Sequence, residues 1–225
     1  MTTDTATTVR ISTRQLAESA YRALRVAGVP SGVADDAARD TVALEAAHGR
    51  GLTVLDDVLH GAPALRVGRC DTESEQVMGD HPDLRRTKAD AFLFDAHGSS
   101  ALLLSSPLVA VLSDRCQGGT IRALAHPAAL TAALCRRARR ETTCFELATA
   151  AGEAVLTVRA GAVIAGPAWG AAWSETHTVR VSLSGATGRR GRSPDSTLSP
   201  HTDEGLDVEP AAWQRLQLLA ARYLV

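Results

Sequence analysis

The chain reads as an α+β protein: an N-terminal helical hairpin or three-helix segment, a central mixed or antiparallel sheet, and a C-terminal amphipathic helix. Three observations predict this. Apolar residues up to about His60 recur at helical spacing. The middle of the chain carries short apolar runs separated by Gly, Ser and Pro. From Pro210 onward a helical stripe returns.

The first helix is the best marked. Ser12 and Gln15 stand at capping-box spacing, Ile11 and Leu16 can staple across the cap, and Leu16, Ala20, Leu24 and Val26 form the inward stripe to a stop at Gly28 and Pro30. Ser31 offers the next cap, for a helix running through Asp35, Asp36, Val42 and Glu45 to about His48. A third, short helix is predicted over Thr53 to His60, closed by Gly61 and Pro63. The polar stretch from Arg66 to Arg86 reads as a surface loop. Ala91 to Phe94, Ala101 to Leu104 and Leu108 to Leu112 fit either buried strands or one strand plus a helix. Pro127 can open a helix over Ala128 to Arg140, whose final arginines suit a helix C-terminus. Phe145 to Ala148, Ala154 to Arg159, Ala162 to Ala165 and Val179 to Leu183 read as strands, with a hairpin turn at Ala160 and Gly161. Residues 184–209 read as a long flexible loop, and Pro210 opens a last helix with Trp213, Leu216, Leu219 and Tyr223 on one face.

With 225 residues the chain is long enough to bury a large core as one domain. Its divisions are a helical subregion 11–62, an α/β core 88–183, the loop 184–209 and the helix 210–225. Lys plus Arg number 24 against 25 Asp plus Glu, so no global basic field is present to hold nucleic acid. Cys70, Cys116, Cys135 and Cys144 are scattered without a CxxC pair, which predicts free thiols in a reducing compartment. No apolar run approaches a membrane span and the first residues form no secretory signal, so the expected location is cytoplasmic.

Two constellations stand out. Glu45, His48 and Arg50 lie where a helix ends among glycines. The helix dipole favours a cation there, and an arginine beside an imidazole attracts anions. The same His48 could serve only as a cap. The second constellation is Trp169, Trp173, Glu175 and His177, two of the chain's three tryptophans with an alternating carboxylate and imidazole, suited to a pocket wall with acid/base groups. An exposed strand end over a core tryptophan would look the same. Asp56, Asp57 and His60 read as a solvated helix face. Ser99, Ser100, Ser105 and Ser106 lack the GxSxG elbow, and Cys144 reads as a core residue. Neither metal-ligand spacing nor a phosphate-cradling glycine loop is present, so neither a metal nor a cofactor is expected.

From Ile11 to Leu59 the order of helix, Gly-Val-Pro, helix, Ala47-His48-Gly49 and helix resembles the N-terminal region of the malate/L-lactate dehydrogenase family, where the matching histidine is the acid/base residue. The paired N-terminal helices and the run Trp213-Gln214-Arg215-Leu216 resemble a wider bacterial family of unknown function. Within it, the chain is similar to the larger subunits of the aziridine-forming, sulfate-eliminating enzymes of azinomycin-type antibiotic biosynthesis. That resemblance implies a lyase-like cyclase in a heteromeric complex with a small partner subunit. The substrate would be a sulfated amino compound, and neither nucleic acid nor membrane would be a partner. Displacing sulfate with an amine requires a base for the ammonium proton and cations for the departing anion. His48, Glu45, Glu175 and His177 are the candidate catalytic groups, with Arg50, Trp169 and Trp173 as the binding groups. A small acid/base enzyme or oxidoreductase related to the dehydrogenases, and a noncatalytic interaction protein, are the alternatives.

Overall fold

A computed structural model describes residues 8–60, 92–115, 118–141, 143–159, 162–174, 176–185 and 205–224. It is an α+β fold. Helices α1 (Thr13–Val26), α2 (Ser31–His48) and α3 (Gly51–His60) follow a short strand β1 (Val9–Ile11). The α1 cap forms as its residues dictate: Ser12 Oγ accepts the Gln15 N–H at 3.1 Å and Gln15 Oε1 accepts the Ser12 N–H at 2.8 Å. Helix α2 differs at its start, because Pro30 holds the cap position and Ser31 is the first helical residue. Helix α3 begins two residues earlier than its apolar pattern suggests, at Gly51.

After strand β2 (Phe92–Asp95) the two apolar runs Ala101 to Leu104 and Leu108 to Leu112 join into one helix, α4 (Ala101–Arg115), which carries Pro107 inside it. Strand β3 (Gly118–Ala125) was not legible from its residues. A 3₁₀ turn, Pro127–Leu130, then leads into α5 (Thr131–Glu141), so the proline starts a tighter turn before the helix proper. Strands β4 (Thr143–Thr149), β5 (Ala154–Arg159), β6 (Ala162–Ala165) and β7 (Thr176–Gly185) complete a six-stranded sheet in the order β2-β3-β7-β4-β5-β6. Only β2 and β3 run parallel, joined over α4; every other neighbouring pair is antiparallel.

The expected flexible loop 184–209 is corrected at both ends. Strand β7 runs on to Gly185, and Leu206–Val208 forms strand β8, which pairs antiparallel with β1. Residues 186–204 lie outside the described residues, as do the expected loop 66–86, the Ala160-Gly161 turn, Cys70 and Cys116. Helix α6 (Pro210–Ala221) is capped by Glu209, whose carboxylate accepts the Ala211 and Ala212 N–H groups. Tyr223 falls past the helix end and meets Tyr21 edge-on with ring centroids 6.3 Å apart.

One face of the sheet is covered and the other open. Ile121, Phe145, Leu147, Val158, Val179 and Val181 are buried, whereas Arg122, Glu146, Arg180 and Ser182 are exposed. Helix α5 packs on β4, β5 and β6 and α4 on β3, with α2 against both helices and α1, α3 and α6 beyond it. One continuous buried cluster runs from Ile11 to Ala220. It contains Cys135, whose thiol burial pushes up to about 12, leaving it inert. No described helix is long and apolar enough to cross a membrane.

Candidate functional site

The corner between α2 and α3 is made by two glycines with different roles. Gly49 ends α2 in the left-handed conformation, φ 60°, and its N–H closes onto the Glu45 carbonyl at 2.8 Å. Gly51 lets α3 begin against the backbone of α2, where a side chain would collide with the Thr41 carbonyl. Buried Glu45 spans this corner: its Oε2 accepts the Leu52 N–H at 2.8 Å, and the Gly51 N–H also bonds it. The carboxylate therefore caps α3. Burial raises its pKa, and the two N–H groups pull it back. The structure thus engages Glu45 in holding the corner in place. Arg50 stands exposed on the bend.

His48, the last residue of α2, turns into an aromatic group. Its ring centroid lies 5.2 Å from Trp169 at 72° and 5.6 Å from Trp173 at 56°, and the two indoles meet edge-on at 4.9 Å. Two successive 3₁₀ turns, Pro167–Trp169 and Ala171–Trp173, deliver the indoles; Trp173 is buried and Trp169 half-buried. The two sequence constellations therefore meet at this point. His48 Nε2 is buried and has no hydrogen-bond partner among the described residues, and burial lowers the imidazole pKa. His177 sits on β7 opposite Leu124 of β3, and Glu175 lies outside the described residues.

Beside this group lies an arrangement with no signal in the sequence. His126 follows β3 in the left-handed conformation, φ 51°, immediately before Pro127. That backbone is costly for a residue with a side chain, and sterics before proline favour extended conformations instead. Its Nδ1 lies 3.0 Å from Ser100 Oγ and its Nε2 3.5 Å from Asp57 Oδ2. With the proton on Nε2 facing Asp57, Nδ1 accepts from the Ser100 hydroxyl, whose oxygen takes the Leu102 N–H at 3.2 Å and so caps α4. Ser100 is wholly buried, so this triad is a bracket on the strained turn and not an accessible nucleophile. The Pro127–Leu130 turn packs directly on the Ala171–Trp173 turn, so the bracket supports the indole wall. Asp57 is thereby more than a solvated face. Asp56 also has partners, Arg215 Nη2 at 2.6 Å and His60 Nδ1 at 3.1 Å.

Among the described residues no three His, Cys, Asp or Glu side chains converge as metal ligands would. Fold and site together define an α+β protein in which a buried imidazole at the end of α2 packs against two indoles. No protein-family model, curated protein or solved structure matches the chain.

The two buried imidazoles have a measurable consequence. Burial holds His48 below its ordinary value of 6.5, and it does the same to His126 although Asp57 pulls the other way. A folded pKa below the unfolded one contributes stability above pH 6.5 that is lost as pH falls through the folded values. Glu45, raised above 4.5, acts oppositely, its contribution being full below 4.5 and lost as pH rises. Urea unfolding is therefore expected to show a net loss of stability between pH 7.5 and 5. That loss should shrink in His126→Asn, since asparagine tolerates the left-handed backbone. Superimposable pH profiles would exclude His126 as a source.

Proposed function

We propose that the chain is an acid/base enzyme whose proton acceptor is His48 and whose substrate carries an amine beside an oxyanion. The observation that carries this reading is the condition of His48: an imidazole kept neutral by burial, set against two indoles, with Nε2 engaged by no described group. The same desolvation lowers the pKa of an ammonium brought against these rings, which narrows the gap the proton must cross. Indole faces attract that ammonium before it is deprotonated. Arg50 on the bend supplies a forked cation for the anionic group.

Within this class, the proposed reaction is closure of an aziridine by displacement of sulfate from a sulfated diamino-hydroxyheptanoate intermediate of azinomycin-type antibiotic biosynthesis, together with a small partner subunit. The resemblance in sequence supports that choice. In this reaction an ammonium proton passes to the His48 imidazole, the nitrogen lone pair forms the new C–N bond, and the C–O bond breaks with its electrons as sulfate leaves. Arg50 gains strength of interaction as that charge develops. The dehydrogenase resemblance also implies an acid/base role for His48, with a different chemistry; the resemblance to the aziridine-forming subunits names no residue.

The test is release of free sulfate from a sulfated vicinal amino alcohol, with the chain alone and with its small partner. His48→Gln should lower turnover at saturating substrate by roughly 10²- to 10⁴-fold, the scale of a lost general base. Arg50→Ala should cost the chemical step roughly 2 to 4 kcal/mol, with Arg50→Lys recovering part. Wild-type turnover in both variants would remove this corner from the mechanism, and no sulfate release from either preparation would remove the reaction.

A further inference from the structure

Between α4 and α5 lies a groove of about 120 Å³. Ser106, Val109 and Ala110 of α4 form one wall, and Ala133, Arg136, Arg137 and Arg140 of α5 the other. None of these residues belongs to the group formed by His48, Trp169 and Trp173. The concavity follows from the two alanines, whose short side chains leave the space that larger residues would fill. The cations follow from helical spacing, which puts Arg136 and Arg140 one turn apart on the same face with Arg137 beside them.

One of these guanidiniums is fixed in advance. Asp40 on α2 is completely buried, its Oδ2 accepts the Ser105 hydroxyl at 2.7 Å, and its Oδ1 receives Arg136 Nη1. Arg39, the next cation on α2, is already paired with Asp35 at 2.6 Å, and Asp36 acts on Arg136 from the same helix. The described groove lining itself holds three guanidiniums and no carboxylate.

We infer that this groove binds a tetrahedral oxyanion, sulfate or phosphate, either free or as the ester group of a small molecule. Size limits the ligand: the volume is well below the roughly 300 to 1,000 Å³ of pockets that enclose drug-sized ligands. Chemistry selects the class. A single guanidinium fork satisfies both oxygens of a carboxylate, whereas a lining that carries several arginines suits the four oxygens and double charge of sulfate or hydrogen phosphate. Ser106 can add a hydroxyl donor. A guanidinium already held by Asp40 loses little freedom on binding, which favours a preformed site.

The experiment is calorimetric titration with inorganic sulfate, inorganic phosphate, glycerol phosphate and acetate at constant ionic strength. Saturable binding of the tetrahedral anions is expected, with acetate much weaker. Tighter binding of glycerol phosphate than of inorganic phosphate identifies an ester as the ligand, and equal binding identifies the free anion. Arg137→Ala/Arg140→Ala should weaken binding at least about tenfold, because hydrogen bonds to charged groups are lost. Arg139→Ala removes the same charge from a position outside the groove and should leave binding unchanged. Ala110→Glu sets a carboxylate at an exposed position on the rim and should abolish binding without touching the core. Equal response to acetate, no saturation, or equal loss in Arg139→Ala overturns the inference. All of these hold whatever His48 does, so failure here is distinct from failure of the sulfate-release assay.

Discussion

Gly51→Ala is expected to destabilise the protein by about 3 kcal/mol or more, the upper range for forcing atoms into a packed site. A β-carbon at Gly51 would stand 2.0 Å from the Thr41 carbonyl oxygen and 2.7 Å from the Glu45 nitrogen, both backbone atoms of α2. No side chain can swing away to make room, so α3 must move as a body. Moving it draws the Leu52 N–H from the Glu45 carboxylate and leaves a buried carboxylate short of its partners. For a chain of this length each kcal/mol shifts the melting temperature by roughly 2–4 °C, so a drop of about 10 °C should be plain in thermal unfolding. Gly32 is the control. It lies in α2 without a positive φ, nothing stands within 4 Å of its added β-carbon, and Gly32→Ala should be neutral or stabilise by up to about 1 kcal/mol. A Gly51→Ala protein that melts with the wild type would show that the corner is not closely packed.

The elements legible in the sequence are those whose signals are local. Ser12, Gln15 and the stripe through Leu24 fix α1 within its own residues, and Pro210 with Glu209 does the same for α6. Strand β3 escaped detection because its alternation is interrupted. Gly119 and Ile121 are buried on one parity, Ala123 takes the left-handed conformation at a bulge, and Leu124 is buried on the other parity. No two-residue period survives that shift. Strand β8 is three residues long and exists only through its pairing with β1, at the other end of the chain, which no local pattern encodes.

The site divides in the same way. His48 was visible as a helix end beside glycines, and Trp169 and Trp173 through the scarcity of tryptophan, but their meeting depends on how α2 abuts the turns before β7. Glu45 carried the right chemistry for a base, and its engagement with a helix start seven residues on could only be seen in three dimensions. His126 was silent because its partners, Asp57 and Ser100, come from two other segments and its distinguishing feature is a backbone angle. Strained, buried polar positions of this kind follow tertiary context and not propensity.

Asp40→Ala is expected to cost about 1 to 3 kcal/mol, the scale for buried polar groups that lose a partner and less than for a fully buried ion pair, because the Arg136 side chain keeps 40% of its surface in solvent. The carboxylate is fully buried where α2 meets α4 and α5, the two helices that cover the sheet. Removing it leaves the Ser105 hydroxyl only its longer bond to the Leu102 carbonyl at 3.4 Å, and leaves Arg136, whose pKa burial already lowers, without the carboxylate that its guanidinium contacts. Asp40→Asn keeps an acceptor and loses only the charge, so its cost should fall between. The informative measurement is a double-mutant cycle with Asp40→Leu and Arg136→Met in urea unfolding. Removing both partners abolishes the desolvation of two charges together with their attraction, so the double variant should be more stable than Asp40→Leu alone, with a coupling of about 1 to 3 kcal/mol. Additive losses would mean that the two side chains do not act as a pair. A stable double variant would also separate the two consequences of the network. The helical layer would remain seated on the sheet without Asp40, whereas the oxyanion groove, deprived of the guanidinium that Asp40 holds in place, should bind sulfate more weakly than the wild type.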